Sequence, residues 1–144
     1  MVLGSSQPAQ KLFARSIIMY KRVQDNDTCY IVRVMKKILV TGGAGFIGSN
    51  FCNINKNKYQ VIALDNLFLG DKSNLDAGIE FIEGDAGEMS DLDKAGGADY
   101  VLHLAGTSSA PMFMGEGFIE SYMNSVRCFV TVLEWARKHG VKKV

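Results

Sequence analysis

From Met35 onward the chain alternates short apolar runs with longer stretches of mixed polarity. Ile38-Leu39-Val40, between Lys36-Lys37 and Thr41, is too short for a helix and predicts a strand covered on both faces. Val61-Ile62-Ala63-Leu64-Asp65 predicts a second such strand, Ile79 to Glu83 a third, and Tyr100 to Ala105 a fourth. A glycine-rich turn follows the first strand and leads into a short helix from about Phe46 to Ile54. Ser90 is placed to cap another short helix that runs through Ala95. From about Phe118 to His139, the residues Ile119, Tyr122, Met123, Val126, Phe129, Val130, Leu133 and Trp135 recur near the spacing of an amphipathic helix. Gly140 is positioned to end that helix, and Val141-Lys142-Lys143-Val144 reads as the opening of a fifth strand. Strands alternating with helices in this way predict a doubly wound α/β fold with right-handed crossovers.

Residues 1–34 follow another pattern. Leu12, Phe13, Ile17, Met19 and Tyr20 interleave with Lys11, Arg15, Lys21 and Arg22, which suits a short basic amphipathic helix, and Thr28 to Val34 suits a strand. This segment carries five Lys/Arg against two Asp, a net of +3, whereas the remainder carries 11 against 13 Asp/Glu, a net of −2. A basic, acid-poor N-terminus is also the composition of an organelle transit peptide. The expected organisation is an N-terminal extension over 1–34 and a domain over 35–144, with Met35 as its natural beginning.

The 144 residues suit one domain of ordinary size. A net charge of +1 gives no global electrostatic case for nucleic acid or an anionic membrane. No apolar run approaches the roughly 18 residues that cross a bilayer. Cys29, Cys52 and Cys128 match no metal or redox spacing, so reduced thiols in a cytoplasmic protein are expected.

Candidate chemistry gathers at Thr41-Gly42-Gly43-Ala44-Gly45-Phe46-Ile47-Gly48, between the first strand and the first helix. Gly42 permits a tight exit from the strand, Gly45 lets the backbone approach a pyrophosphate, and Gly48 lets the helix pack closely on the sheet. The helix start offers unpaired N–H groups and the positive end of a dipole to phosphates. Asp65 ends the second strand about twenty residues on, where a carboxylate accepts hydrogen bonds from the adenosine ribose. It would repel a 2′-phosphate, and no Arg follows among Asn66-Leu67-Phe68-Leu69, so NAD is expected over NADP. The fold class is therefore a Rossmann-type doubly wound parallel sheet, truncated after the start of its fifth strand.

The glycines at 42, 45 and 48 follow G-x-x-G-x-x-G. With Lys-Ile-Leu-Val-Thr-Gly-Gly-Ala-Gly-Phe-Ile-Gly-Ser-Asn at 37–50, the chain resembles the extended short-chain dehydrogenase/reductase family. Within it, the likeness is to NAD-dependent nucleotide-sugar epimerases and dehydratases of the UDP-glucose 4-epimerase kind. Leu-Asp-Asn-Leu at 64–67, Glu-Gly-Asp at 83–85, His-Leu-Ala at 103–105 and Leu-Glu-Trp-Ala-Arg-Lys-His-Gly-Val-Lys-Lys at 133–143 extend it. The resemblance implies that Phe46 and Ile47 belong to the cofactor loop and that Asn66 assists Asp65 at the ribose. It implies that Asp85 and Ala86 contact the adenine, while Leu104, Ala105 and Gly106 line the nicotinamide side. Asn124 is implied as a helix asparagine supporting the loops around the cofactor, and Ser108 or Ser109 as a substrate contact. His103, at a strand end, reads as a packed, hydrogen-bonded histidine.

The resembled family uses a Tyr-x-x-x-Lys pair for proton transfer during hydride exchange with NAD. Tyr20, Tyr30, Tyr59, Tyr100 and Tyr122 are followed four places on by Gln24, Val34, Ala63, Leu104 and Val126, so the pair is absent from this chain. General acid–base catalysis is worth roughly 10²–10⁴-fold, and no substantial epimerase or dehydratase activity is expected from these residues alone. The resemblance makes the chain the NAD-binding part of such an enzyme. The alternatives are a stand-alone NAD-dependent regulatory module or one half of a split enzyme. An open sheet edge and uncovered apolar surface predict self-association or a covering partner chain.

Overall fold

A computed structural model describes residues 18–25, 28–107, 110–114 and 117–144. Strand β1 (Ile18–Asp25) pairs antiparallel with β2 (Thr28–Met35), with Ile18 opposite Met35 and Asp25 opposite Thr28. The expected strand at Thr28 is present, but the helix suggested for Lys11 to Arg22 is not formed from Ile18 on. Ile18, Tyr20 and Val23 are strand-favouring residues, and a partner strand rich in Val, Ile and Tyr follows after only two residues. Lys11, Leu12, Phe13, Arg15 and Ile17 lie outside the described residues, as do Ser108 and Ser109.

The main sheet is parallel. Strands β3 (Lys37–Thr41), β4 (Gln60–Asp65), β5 (Glu80–Glu83) and β6 (Tyr100–His103) lie in the order β5-β4-β3-β6. Ile38 pairs with Val61 on one side and Tyr100 on the other. The chain therefore steps outward from β3 through β4 to β5, then crosses back to lay β6 on the other flank. A parallel bridge from Tyr100 to Lys143 begins a further strand beyond β6, as Val141 to Val144 had suggested.

The period-2 alternation of the strands divides the core. Ile38, Val40, Val61 and Ala63 pack with Cys52 of helix α1 (Phe46–Asn55) on one face. Leu39, Ile62, Leu64 and Val101 pack on the other with Leu92 of α2 (Met89–Asp93) and Val132 and Trp135 of α3 (Phe118–Lys138). Two expectations about these helices need correction. Ser90 lies inside α2, whose N-cap is Glu88 with no side-chain cap bond; Asp91 instead turns back to accept from the Asp85 N–H at 2.8 Å. On α3 the buried face is Cys128, Val132, Trp135 and Ala136, while Ile119, Tyr122, Met123, Val126, Phe129, Val130 and Leu133 are exposed. The helix is apolar on more than one side, and the side that docks is set by Trp135. Its ring is fully buried, and its indole N–H donates to Asp93 at 3.0 Å. Gly140, at φ +64°, ends the helix as its position foretold.

Candidate functional site

The turn after β3 depends on missing side chains. Gly42 has φ +70°, and a Cβ there would stand 2.7 Å from the backbone of Leu104 and Ala105. The turn can therefore pass directly beneath the end of β6. A Cβ on Gly48 would meet the Gly42 carbonyl oxygen at 2.1 Å and Gly43 Cα at 2.9 Å. Gly48 thus serves packing of the helix on its own turn, rather than on the strands as the spacing had suggested. At Gly45 the only near neighbour of such a Cβ would be Gly42 O at 3.3 Å, and the rest of that space opens into a cleft. Helix α1 begins there without a side-chain cap and without an acidic residue in its first turn. Its first N–H groups, which no helical carbonyl can satisfy, stand at the cleft with Phe46, Ile47 and Gly48.

Asp65 is buried at 7% exposure, and both its oxygens are engaged. Oδ2 accepts from the Ala44 N–H at 3.0 Å, tying the end of β4 to the glycine turn, and Oδ1 accepts from the Leu67 N–H at 2.9 Å. Asn66 repeats the device one residue on, accepting from the Phe68 N–H at 3.1 Å. These two local turns hold Leu67 at φ +58°, a conformation uncommon for a residue with a branched side chain. The loop then returns to the glycine turn, where Asp71 N–H and Asn74 Nδ2 both donate to the Ala44 carbonyl at 3.1 Å. Ala44 is fully buried and bonded on both sides, so the glycine turn and the 66–74 loop form one continuous wall.

Asp85 follows β5. Its Oδ1 accepts from the Gly87 N–H at 2.7 Å and its Oδ2 from Arg127 of α3 at 2.5 Å. Burial acts to raise this carboxyl, but the Gly87 N–H and the Arg127 guanidinium outweigh it and hold it below the usual range. Ala86 beside it is buried at 3% exposure. Cys128 faces the same carboxylate, 3.7 Å from Oδ1, and burial followed by that charge holds its thiol up. Cys52 and Cys128 are both unpaired.

Beyond β6, Leu104, Ala105 and Gly106 also line the cleft. His103 Nδ1 lies 2.7 Å from the hydroxyl of fully buried Thr41. Burial holds its imidazole below the ordinary value, and its ring packs against Phe129 at 6.0 Å. This is the packed histidine the sequence suggested. Asn124 reaches the cleft, but its Oδ1 accepts from Arg127 at 3.0 Å on its own helix. The loop is held by its neighbour Ser125, whose Oγ accepts from the Thr107 N–H at 3.2 Å and donates to Ser121 O. Sequence reasoning missed that residue, since a serine within a helix carries no distinctive signal.

The cleft has a volume of about 490 Å³ and sits at the C-terminal edge of the sheet. It lies where the strand order reverses, the usual ligand position of such sheets. Gly42, Gly45, Phe46, Ile47, Gly48, Asp65, Asn66, Asp85, Ala86, Leu104, Ala105, Gly106 and Asn124 all line it. So do Phe68, Leu69 and Gly70 of the returning loop, together with Thr107 and Cys128, which were not expected. Phe68 and Leu69 are largely exposed at its rim, an apolar pair after Asp65 that could have been noticed. Among the described residues no Lys or Arg lines the cleft, and the groups it offers an anion are the N–H groups at the start of α1 and the helix dipole. The dimensions, the glycine cradle and the buried carboxylate fit an extended dinucleotide. Among the described residues, no cluster of side chains is arranged to hold a metal ion, and no helix is long and apolar enough to cross a membrane.

Fold and cleft together define a Rossmann-type domain of the dinucleotide-binding class. Residues 38–144 match the model of the NAD dependent epimerase/dehydratase family, and the chain belongs to that family. It is 35% identical over 111 residues to a putative UDP-glucose 4-epimerase of Methanocaldococcus jannaschii, covering 74% of this chain and 36% of the relative. It is 34% identical over 113 residues to UDP-glucuronic acid decarboxylase 6 of Arabidopsis thaliana, covering 74% and 32%. Among solved structures, the Thermotoga maritima UDP-glucose 4-epimerase with UDP-glucose superposes with a TM-score of 0.68 at 34% identity, over 74% of this chain and 35% of that one. The Thermus thermophilus UDP-glucose 4-epimerase complex with NAD gives 0.66 at 28% identity, over 73% and 35%. The chain spans about a third of the length of these relatives.

Proposed function

We propose that this chain is the NAD-holding part of a nucleotide-sugar epimerase or dehydratase, acting in the whole protein on a uridine diphosphate sugar. One observation carries the reading: every position that the glycine pattern and the resemblance mark for the cofactor opens on one cleft. The N–H groups at the start of α1 receive the pyrophosphate. Asp65 and Asn66 take the adenosine ribose, Asp85 and Ala86 the adenine, and Leu104 to Gly106 flank the nicotinamide. Asp65, already accepting two backbone N–H bonds, has lone pairs left for ribose hydroxyls but no donor for a 2′-phosphate, whose charge it repels, which favours NAD over NADP. NAD would accept a hydride from a sugar carbon and return it; the groups here bind and orient. No tyrosine of these 144 residues is followed four places on by a lysine, so the chain by itself is expected to turn over no nucleotide sugar. The exposed face of α3 supports self-association as part of the same proposal.

Isothermal titration with NAD and NADP tests the reading, run on the full chain and on one lacking residues 1–34. Micromolar NAD binding by both, weaker for NADP and weakened by Asp65→Ala, is expected. It would also support a cofactor domain over 35–144 with the β1–β2 hairpin as an appendage. A folded protein that binds neither dinucleotide would overturn the proposal.

A further inference from the structure

Arg127 stands behind the wall of the cleft and grips the turn that ends β5. Its Nη2 donates to Asp85 Oδ2 at 2.5 Å and to Asn124 Oδ1 at 3.0 Å. Nη1 donates to Glu88 Oε1 at 2.5 Å, with the Gly87 carbonyl at 3.5 Å. The guanidinium packs so closely on the turn that a Cβ at Gly87 would stand 2.5 Å from Arg127 Cζ. A second residue of α3 ties the same turn without touching Asp85: Thr131 Oγ1 donates to the Gly87 carbonyl at 3.3 Å.

An ionised carboxylate has about four acceptor positions. On Asp85, three are occupied, by the Gly87 N–H, by Arg127 and by the Cys128 thiol. Asp85 is also a lining residue of the cleft. We infer that Arg127 is a positioning residue for purine recognition, pinning the Asp85 carboxylate so that one acceptor position faces the cleft, the complement of a single N–H of a 6-amino purine. A 6-oxo purine would set an acceptor against that acceptor and be rejected. The inference rests on the proposed placement of NAD with its adenine at Asp85 and Ala86.

The test compares NAD with nicotinamide hypoxanthine dinucleotide, which differs only at that purine position, by titration of the full chain. A hydrogen bond to a charged group is worth about 1.5–3 kcal/mol, so the wild type should prefer NAD by about tenfold or more. Arg127→Met should lose most of that preference, with NAD weakened about tenfold and the hypoxanthine analogue changed less than about twofold. Thr131→Val, which loosens the same turn but leaves Asp85 pinned, should keep the preference. Should Arg127→Met fail to fold in a melting assay, Arg127→Lys reads the same ratio. Its single ammonium cannot fork between Asp85 and Glu88, and an intermediate preference is expected. Equal weakening of both dinucleotides by the Arg127 variants, an unchanged ratio, or the same collapse in Thr131→Val would each overturn the inference. A wild type that binds neither dinucleotide would instead defeat the reading of the cleft, and this inference with it.

Discussion

Gly48 and Asp99 are the two positions where a single group has the most legible effect. A methyl on Gly48 would press on the carbonyl of Gly42, and backbone cannot yield as a flexible side chain does. Gly48→Ala is expected to destabilise the fold by about 1–3 kcal/mol, as overpacking does. It should also weaken NAD binding, because the turn it displaces lines the cleft. Chemical denaturation and titration check this, and a variant matching the wild type in both would refute the packing account. Asp99 sits at the opposite end of the sheet, where it accepts from Lys142 and Lys36 side chains and the Lys37 N–H. Burial acts to raise its carboxyl, but the Lys142 ammonium, the Lys37 N–H and Lys36 together bring it from 3.8 to about 2. A depressed folded pKa means that its stabilisation is complete above 3.8 and is lost as the pH falls through about 2. Melting temperature should therefore fall more steeply across that window in the wild type than in Asp99→Asn; parallel curves would show that the cluster contributes nothing. The glycine was readable from spacing alone. The lysine cluster was not, since its members stand at 36, 37, 99 and 142.

Helix α3 separates what periodicity tells from what packing decides. Its sequence carries apolar residues on two sides, so the 3–4 spacing announced a helix correctly without saying which side would dock. Trp135, fully buried and bonded to Asp93, should cost about 3–5 kcal/mol when changed to alanine. Val130, on the other apolar side, is 57% exposed. Its change to alanine should alter stability by no more than about 0.5 kcal/mol in the isolated chain. Denaturant midpoints for the two variants test the assignment, and comparable losses would reverse it. The N-terminal hairpin shows a related limit: the basic-apolar interleaving around Tyr20 suits a helix until a partner strand is within reach.

For the molecule as a whole, the uncovered side of α3 is the unfinished surface. Ile119, Tyr122, Met123, Val126, Phe129, Val130 and Leu133 form an exposed apolar stripe along a 21-residue helix. Contiguous apolar surface of this kind is rare on a free monomer. Sedimentation of the isolated chain should show concentration-dependent association that Val130→Glu with Met123→Glu abolishes. A monomer at all concentrations, or association indifferent to those charges, would count against the stripe as the contact. The path from that stripe to the cleft is short: Asn124, Cys128 and Arg127 belong to the same helix, so an altered α3 position would be felt at Asp85.

The sequence by itself determined the order of strands and helices from Met35 onward, the glycine turn, and most of the positions around the cleft. These follow from local properties: the period of side chains, the positive φ of glycine, and the carboxylate ending a strand. Tertiary structure alone decided the partners. It turned Asp65 toward the backbone of Ala44, gave the loop after β6 to Ser125 rather than Asn124, and joined Arg127 to Asp85 across 42 residues of chain. Such pairings depend on which helix face meets the sheet and at what register, and no stretch of sequence short enough to read locally contains both halves of the contact.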